Sequence, residues 1–191
     1  MNIARILYPV KVLGPGDRIG LWLCGCSRKC KGCSNPELWA KRPEYEITPD
    51  EVFSLIQKIS SSHQVDGFTI SGGEPMDQPE DLASLLSLIK PISEDTLVYT
   101  GYRLEELQAK DDQATKIALD SIAVLIDGPY MEEQNDNSLL RGSSNQRILV
   151  LRPEYNEQYH RYLSETQNQI QNFSTANGIV SVGIHHSSFS I

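Results

Sequence analysis

The chain has 191 residues, 39% of them hydrophobic, which is enough for one ordinary core and in keeping with a single domain spanning residues 1–191. Its formal net charge of −8 and pI near 5.0 argue against a nucleic-acid partner, whose binding surfaces are ordinarily basic. No apolar run approaches the roughly 18 residues a bilayer span requires, and Met1 leads into a mixed segment without a signal-peptide core, so a cytoplasmic protein with no membrane contact is expected.

In chain order, short apolar runs alternate with helix-like stretches, the signature of an α/β fold built from βα units around a mostly parallel sheet. Residues 18–24 read as the first strand and lead into a cysteine-bearing loop. Thr48 is placed to cap the first helix, Pro49 suits its first turn, and Val52, Leu55, Ile56 and Ile59 form its apolar stripe. Residues 67–70 are the second strand and run into Ser71-Gly72-Gly73-Glu74-Pro75. Leu82, Leu85, Leu86 and Ile89 then mark a helix that Pro91 stops. A third strand over 96–100 ends at Gly101, and residues 104–119 read as helical with a break near Asp111-Asp112. The fourth strand, 122–126, ends at Asp127-Gly128-Pro129. After a polar loop around Gln134-Asn135-Asp136-Asn137 comes a fifth strand over 147–151. A helix from residue 153 to about 171 and a short strand over 178–184 complete the reading.

The densest chemistry lies at Cys26, Cys30 and Cys33, spaced C-x3-C-x2-C. Three neighbouring thiolates suit an iron–sulfur cube with one iron left without a protein ligand. A closed zinc site ordinarily takes four Cys or His ligands, often in two close pairs, and no second pair follows. A disulfide framework belongs to short secreted chains. Zinc and free or paired thiols stay open as alternatives. Cys24, two residues before Cys26 on a strand, reads as a small buried apolar residue.

In a parallel sheet, ligands gather beyond the carboxyl ends of the strands. The cysteine loop, the Gly72-Gly73 turn, Tyr99-Thr100-Gly101-Tyr102 and Asp127-Gly128-Pro129 all fall at that edge. Glycines there let backbone approach a ligand without an intervening Cβ. For Asp127 a turn-forming role stands beside the ligand role. Arg28, Lys29 and Lys31 surround the cysteines, either as a solvated loop or beside an anionic group, and Arg141 and Arg147 are placed to pair with carboxylates or to hold a cofactor carboxylate.

The cysteine spacing followed by Gly72-Gly73-Glu74-Pro75 resembles the radical S-adenosylmethionine superfamily. Tyr8-Pro9-Val10, Gly14-Pro15-Gly16, Cys30-Lys31-Gly32-Cys33-Ser34-Asn35, Trp39, Tyr99-Thr100-Gly101-Tyr102 and residues 141–147 are together similar to the activating enzymes of anaerobic ribonucleoside-triphosphate reductases, over roughly residues 1–151. Ser34 departs from the aromatic residue often found there, and residues 152–191 have no match in the short family core. That C-terminal extension reads as cover for the sheet or a surface for a partner.

The resemblance implies an incomplete βα barrel, since a full eightfold barrel takes about 250 residues. It implies Cys26, Cys30 and Cys33 as ligands of a [4Fe-4S] cluster. It also implies S-adenosyl-L-methionine held by Gly32, Cys33 and Ser34 at its adenosyl portion and by Gly72, Gly73 and Glu74 at its methionyl end, with Thr100 and Asp127 lining the pocket. An external donor such as flavodoxin or ferredoxin would reduce the cluster, and the cofactor-derived radical would take a hydrogen atom from a glycine of a glycyl-radical enzyme, with no side chain in a catalytic role. Two other readings accompany this one: radical chemistry on another protein, peptide or small molecule, and a noncatalytic iron–sulfur or zinc protein for electron transfer or interaction.

Overall fold

A computed structural model describes residues 1–176 and 178–185. Its centre is an open six-stranded sheet whose strands follow one another in sequence order. β2 (Arg18–Leu23), β3 (Gly67–Gly72), β4 (Thr96–Thr100) and β5 (Val124–Asp127) are parallel, and β1 (Ile3–Val10) and β6 (Arg147–Val150) close the two edges antiparallel. The register pairs Leu23 with Gly72 and Thr100 with Asp127, so the carboxyl ends of the parallel strands lie along one edge.

Four helices connect these strands: α1 (Pro49–Ser60), α2 (Pro79–Ile89), α3 (Leu104–Gln108) and α4 (Gln113–Ser121). The Thr48 hydroxyl accepts from the Glu51 amide at 3.2 Å while the Thr48 amide donates to the Glu51 carboxylate at 2.9 Å, a reciprocal cap that fixes where α1 begins. The expected break in residues 104–119 is real and separates α3 from α4. Asp112 caps α4 by accepting from the Ala114 and Thr115 amides.

Alternation along the strands gives the sheet two apolar faces. Ile19, Leu21 and Leu23 of β2, Phe68 and Ile70 of β3, Val98 of β4 and Leu125 of β5 pack with Val52, Ile56, Leu82, Leu86, Leu107 and Ala118 of the four helices. On the opposite face, Trp22 and Cys24 cluster with Val10, Leu13, Leu38 and Val182, and Leu97, Val124 and Ile126 cluster with Leu140 and Tyr159. Cys24 is fully buried there, and burial pushes its thiol up.

Residues beyond β6 cover that second face. α5 (Asn156–Glu165) contributes Tyr159, and the hairpin of β7 (Gln171–Thr175) and β8 (Gly178–Val182) contributes Val182. Two expectations are corrected here. The helix ends at Glu165 rather than near residue 171, because the polar, partly β-branched stretch after it runs into β7. β1 had no counterpart among the predicted strands: it is an edge strand carrying Arg5 and Pro9, and edge positions tolerate charge and proline that mask a strand signal. Among the described residues no helix is long and apolar enough to cross a membrane.

At the amino ends of the parallel strands a polar network is sealed inside. Arg18, fully buried, donates to Thr69 Oγ1 at 2.8 Å, to Asp95 Oδ2 at 2.8 Å and to the Phe68 carbonyl at 2.6 Å. The Tyr159 hydroxyl donates to Asp95 Oδ1 at 2.7 Å, which ties α5 to the sheet.

Candidate functional site

The opposite edge holds a cleft of about 200 Å³ that is open to solvent. The cysteine loop forms one wall and the turns after β3, β4 and β5 form the floor and far side. Cys26, Cys30, Cys33 and Ser34 line it together with Ser71, Gly72, Gly73, Glu74, Thr100 and Gly128.

The loops are locked to each other through backbone. The amides of Gly73 and Glu74 donate to the carbonyls of Leu23 at 2.7 Å and Gly25 at 2.8 Å, and the amides of Gly25 and Cys26 donate to Leu38 and Trp39 at 2.9 Å each. This crossing explains the double glycine. A Cβ on Gly73 would strike the Gly25 carbonyl, and one on Gly72, whose φ is +108°, would strike the Leu23 backbone. The glycines thus bring two loops together. Both glycines also line the cleft, where no Cβ stands between their backbone and its interior.

Glu74 is 1% exposed and joins the β3 and β4 turns, accepting from Thr100 Oγ1 at 2.7 Å, the Gly101 amide at 2.7 Å and the Met76 amide at 3.0 Å. Burial pushes its carboxyl up to about 7 against the pull of those three donors. The Thr100 hydroxyl, in turn, accepts from the Tyr102 amide at 3.1 Å.

All three loop cysteines are free and half-buried. Burial raises the Cys26 thiol while the amides of Lys29 and Arg28 pull it down. The Cys33 amide donates to the Cys30 carbonyl at 3.2 Å, and Cys33 Sγ accepts from the Asn35 amide at 3.4 Å, as a ligating thiolate would. Among the described residues no three Cys, His, Asp or Glu side chains converge as around one metal ion. A tetrahedral zinc site needs its sulfurs about 2.3 Å from a single point.

Not every predicted residue reaches the cleft. The Asp127 carboxylate lies to one side, bound by Arg147, by the Leu104 amide at 2.8 Å and by Arg103 at 3.4 Å. Burial alone would raise its carboxyl, yet these partners hold it below the usual range. Its place is the turn after β5, and Arg147 completes the same ion-pair network through Glu105 at 2.8 Å. Gly32 faces Glu132 and is absent from the cleft lining. Arg141 pairs with Asp136 at 2.8 Å. His185 lines the cleft, and His186 lies outside the described residues.

The residues around the cleft fit a polar cofactor beside a cluster. Arg28 and Trp39 both line it, and the buried Arg28 Nε and Trp39 Nε1 groups have no hydrogen-bond partner among the described residues. Buried donors are nearly always satisfied, so this pair is free to take an acceptor such as water or a cofactor oxygen. Arg28 was legible only as one charge in a basic loop. What places it is contact of its guanidinium with the Tyr102 ring at 4.0 Å and an ion pair with Glu106 at 3.1 Å.

Comparison with known proteins agrees with this geometry. Residues 12–149 match the model of a family described as a 4Fe-4S single cluster domain. The chain is 35% identical over 155 residues to the anaerobic ribonucleoside-triphosphate reductase-activating protein of Escherichia coli strain K12, covering 76% of this chain and 96% of that protein. This chain belongs to the anaerobic ribonucleoside-triphosphate reductase-activating protein family. Further members with the same name, from phage T4 and Vibrio cholerae, are each 35% identical, over 153 and 149 residues, and 93% of each is covered. The 4Fe-4S domain of the family includes Cys26, Cys30 and Cys33 and ends at residue 149, within β6. The family match therefore holds the four parallel strands, most of β6 and most of the cleft lining, while β1, α5 and the hairpin stand outside it.

Proposed function

We propose that this chain is a radical S-adenosylmethionine activating enzyme that installs a glycyl radical on an anaerobic ribonucleoside-triphosphate reductase. The observation that carries the reading is the single cleft shared by Cys26, Cys30, Cys33, the Gly72-Gly73 turn and the unpartnered donors of Arg28 and Trp39. Cys26, Cys30 and Cys33 hold a [4Fe-4S] cluster. Gly73 and its neighbours meet the methionyl end of S-adenosyl-L-methionine, and Cys33 and Ser34 meet the adenosyl portion. Together these groups supply, when an external donor such as flavodoxin or ferredoxin provides an electron, the one-electron chemistry that removes a hydrogen atom from a glycine Cα.

The protein's own part is to orient and to shield. Glu74 fixes the spacing of the β3 and β4 turns, and the Asp127 network fixes the turn after β5. The open sheet is the frame of an incomplete βα barrel, whose missing side gives a large partner access. Cytoplasmic residence follows from the need for reduced thiols.

Anaerobic reconstitution with iron and sulfide, then reduction in the presence of S-adenosylmethionine, tests the reading through 5′-deoxyadenosine release. Release is expected from the wild-type chain and absent from a variant with Cys26, Cys30 and Cys33 all replaced by alanine. A fully loaded four-iron protein that releases none would overturn the enzyme reading and favour electron transfer. Cys30→Ala alone is expected to abolish cluster assembly, whereas Cys24→Ala, in the core, leaves iron content nearly intact.

A further inference from the structure

The residues beyond the matched domain run from the sealed end of the sheet to the cleft. Tyr159 of α5 is fully buried against Asp95. The hairpin then brings Ser181, Val182, Gly183, Ile184 and His185 into the lining of the same cleft as the three cysteines and Gly73. Val182 is 3% exposed and packs with Trp22, Cys24 and Leu38, although much of the rest of the hairpin faces solvent.

Side-chain amides pin this segment where it meets the cleft. Asn135 Nδ2, from the loop after β5, donates to the His185 carbonyl at 2.8 Å, and Asn168 Nδ2 donates to the Ile184 carbonyl at 2.9 Å. At the base of the hairpin, Gln171 Nε2 donates to the Pro9 carbonyl at 2.7 Å and Gln171 Oε1 accepts from the Lys11 amide at 2.9 Å. Residues 181–185 are thus tied both to the first edge strand and to the loop after β5. A segment held from both sides presents a surface whose ordering cost is already met before a ligand arrives.

We propose that residues 181–185 form a ligand-contacting wall, so that this chain holds S-adenosylmethionine with an element the matched 4Fe-4S domain does not contain. The proposal rests on the radical S-adenosylmethionine reading of the cleft. Val182 seats the segment on Trp22, Cys24 and Leu38, and the half-buried Ile184 adds apolar surface to a cleft whose other lining groups are largely polar, the mixture small-ligand sites use. Because the Ile184 and His185 carbonyls already accept from Asn168 and Asn135, ligand contact with this wall leaves neither orphaned.

Two measurements on the full chain, reconstituted with its cluster, test the wall. Hydrogen exchange with and without S-adenosylmethionine is expected to slow at residues 181–185 as well as at residues 72–74. Val182→Asp, which puts a charge against Trp22, is expected to raise the dissociation constant for S-adenosylmethionine about tenfold in equilibrium dialysis at unchanged iron content. Asn135→Ala, a milder change that frees the His185 carbonyl, should weaken binding in the same direction. Protection confined to residues 72–74, with both variants binding as the wild type does, overturns the wall and leaves the parent reading intact. A fully loaded wild-type chain that binds no S-adenosylmethionine overturns both. Should Val182→Asp fail to fold, the wild-type exchange pattern still separates a wall that contacts the ligand from one that does not.

Discussion

The two ends of the parallel strands treat buried polar groups in opposite ways. At the amino ends, Arg18 is surrounded by Thr69, Asp95 and the Phe68 carbonyl, and Tyr159 joins from α5. At the carboxyl ends, Arg28 Nε and Trp39 Nε1 are buried with no partner among the described residues, and burial pushes the Glu74 carboxyl up to about 7. One sheet therefore carries a closed network around Arg18 at one end and an open one around Arg28 and Trp39 at the other.

The sharpest way to break this contrast is Asp95→Ala. It strands the Arg18 guanidinium in the core and removes the acceptor that anchors Tyr159. A loss of about 3–5 kcal/mol is expected, the usual cost of an unpaired buried charge. Denaturant unfolding of the cluster-free chain measures it. A loss below about 1 kcal/mol would mean that water reaches Arg18 and that this end is not sealed.

Glu74 probes the open end through pH. The folded carboxyl titrates at about 7 and the ordinary value is 4.5, with burial as the main cause. Between those values the folded state keeps a proton that the unfolded chain has released. The associated stability is fully present below about 4.5 and is lost as pH rises through about 7, a change on the order of 3 kcal/mol. Comparing the unfolding free energies of wild type and Glu74→Gln from pH 4.5 to 8.5 isolates this slope. Parallel curves would show a carboxylate that stays ionised in the fold and sits in water.

Much of this arrangement was legible in residue pattern. The parallel strands announced themselves through apolar runs that end in glycine, and the start of α1 through Thr48 and Pro49, while the Glu51 half of its cap emerged only with the structure. The cysteine spacing led to one wall of the cleft. Less legible were features that depend on meetings between distant residues. Gly73 against Gly25 is a backbone crossing that spacing alone does not disclose, and Asp127 is drawn from the cleft by Arg147, twenty residues away in the chain. β7 was hidden because Gln171, Asn172 and Ser174 give it little of the apolar or β-branched character that marks a strand, and what holds it is its partner β8 and Gln171 against β1.

Arg28→Ala gives the smallest effect on the fold and the finest test of the contrast. Its ion pair with Glu106 and its contact with Tyr102 are partly exposed, so their loss should alter stability by no more than about 1 kcal/mol. Among the described residues the Nε donor has no partner to lose. If that donor is reserved for a bound acceptor, the variant should unfold almost as the wild type does yet bind S-adenosylmethionine more weakly at equal iron content. A variant that loses stability but binds equally well would make Arg28 a brace between the cysteine loop and α3, and would move the open network to Trp39 and the β3 turn alone.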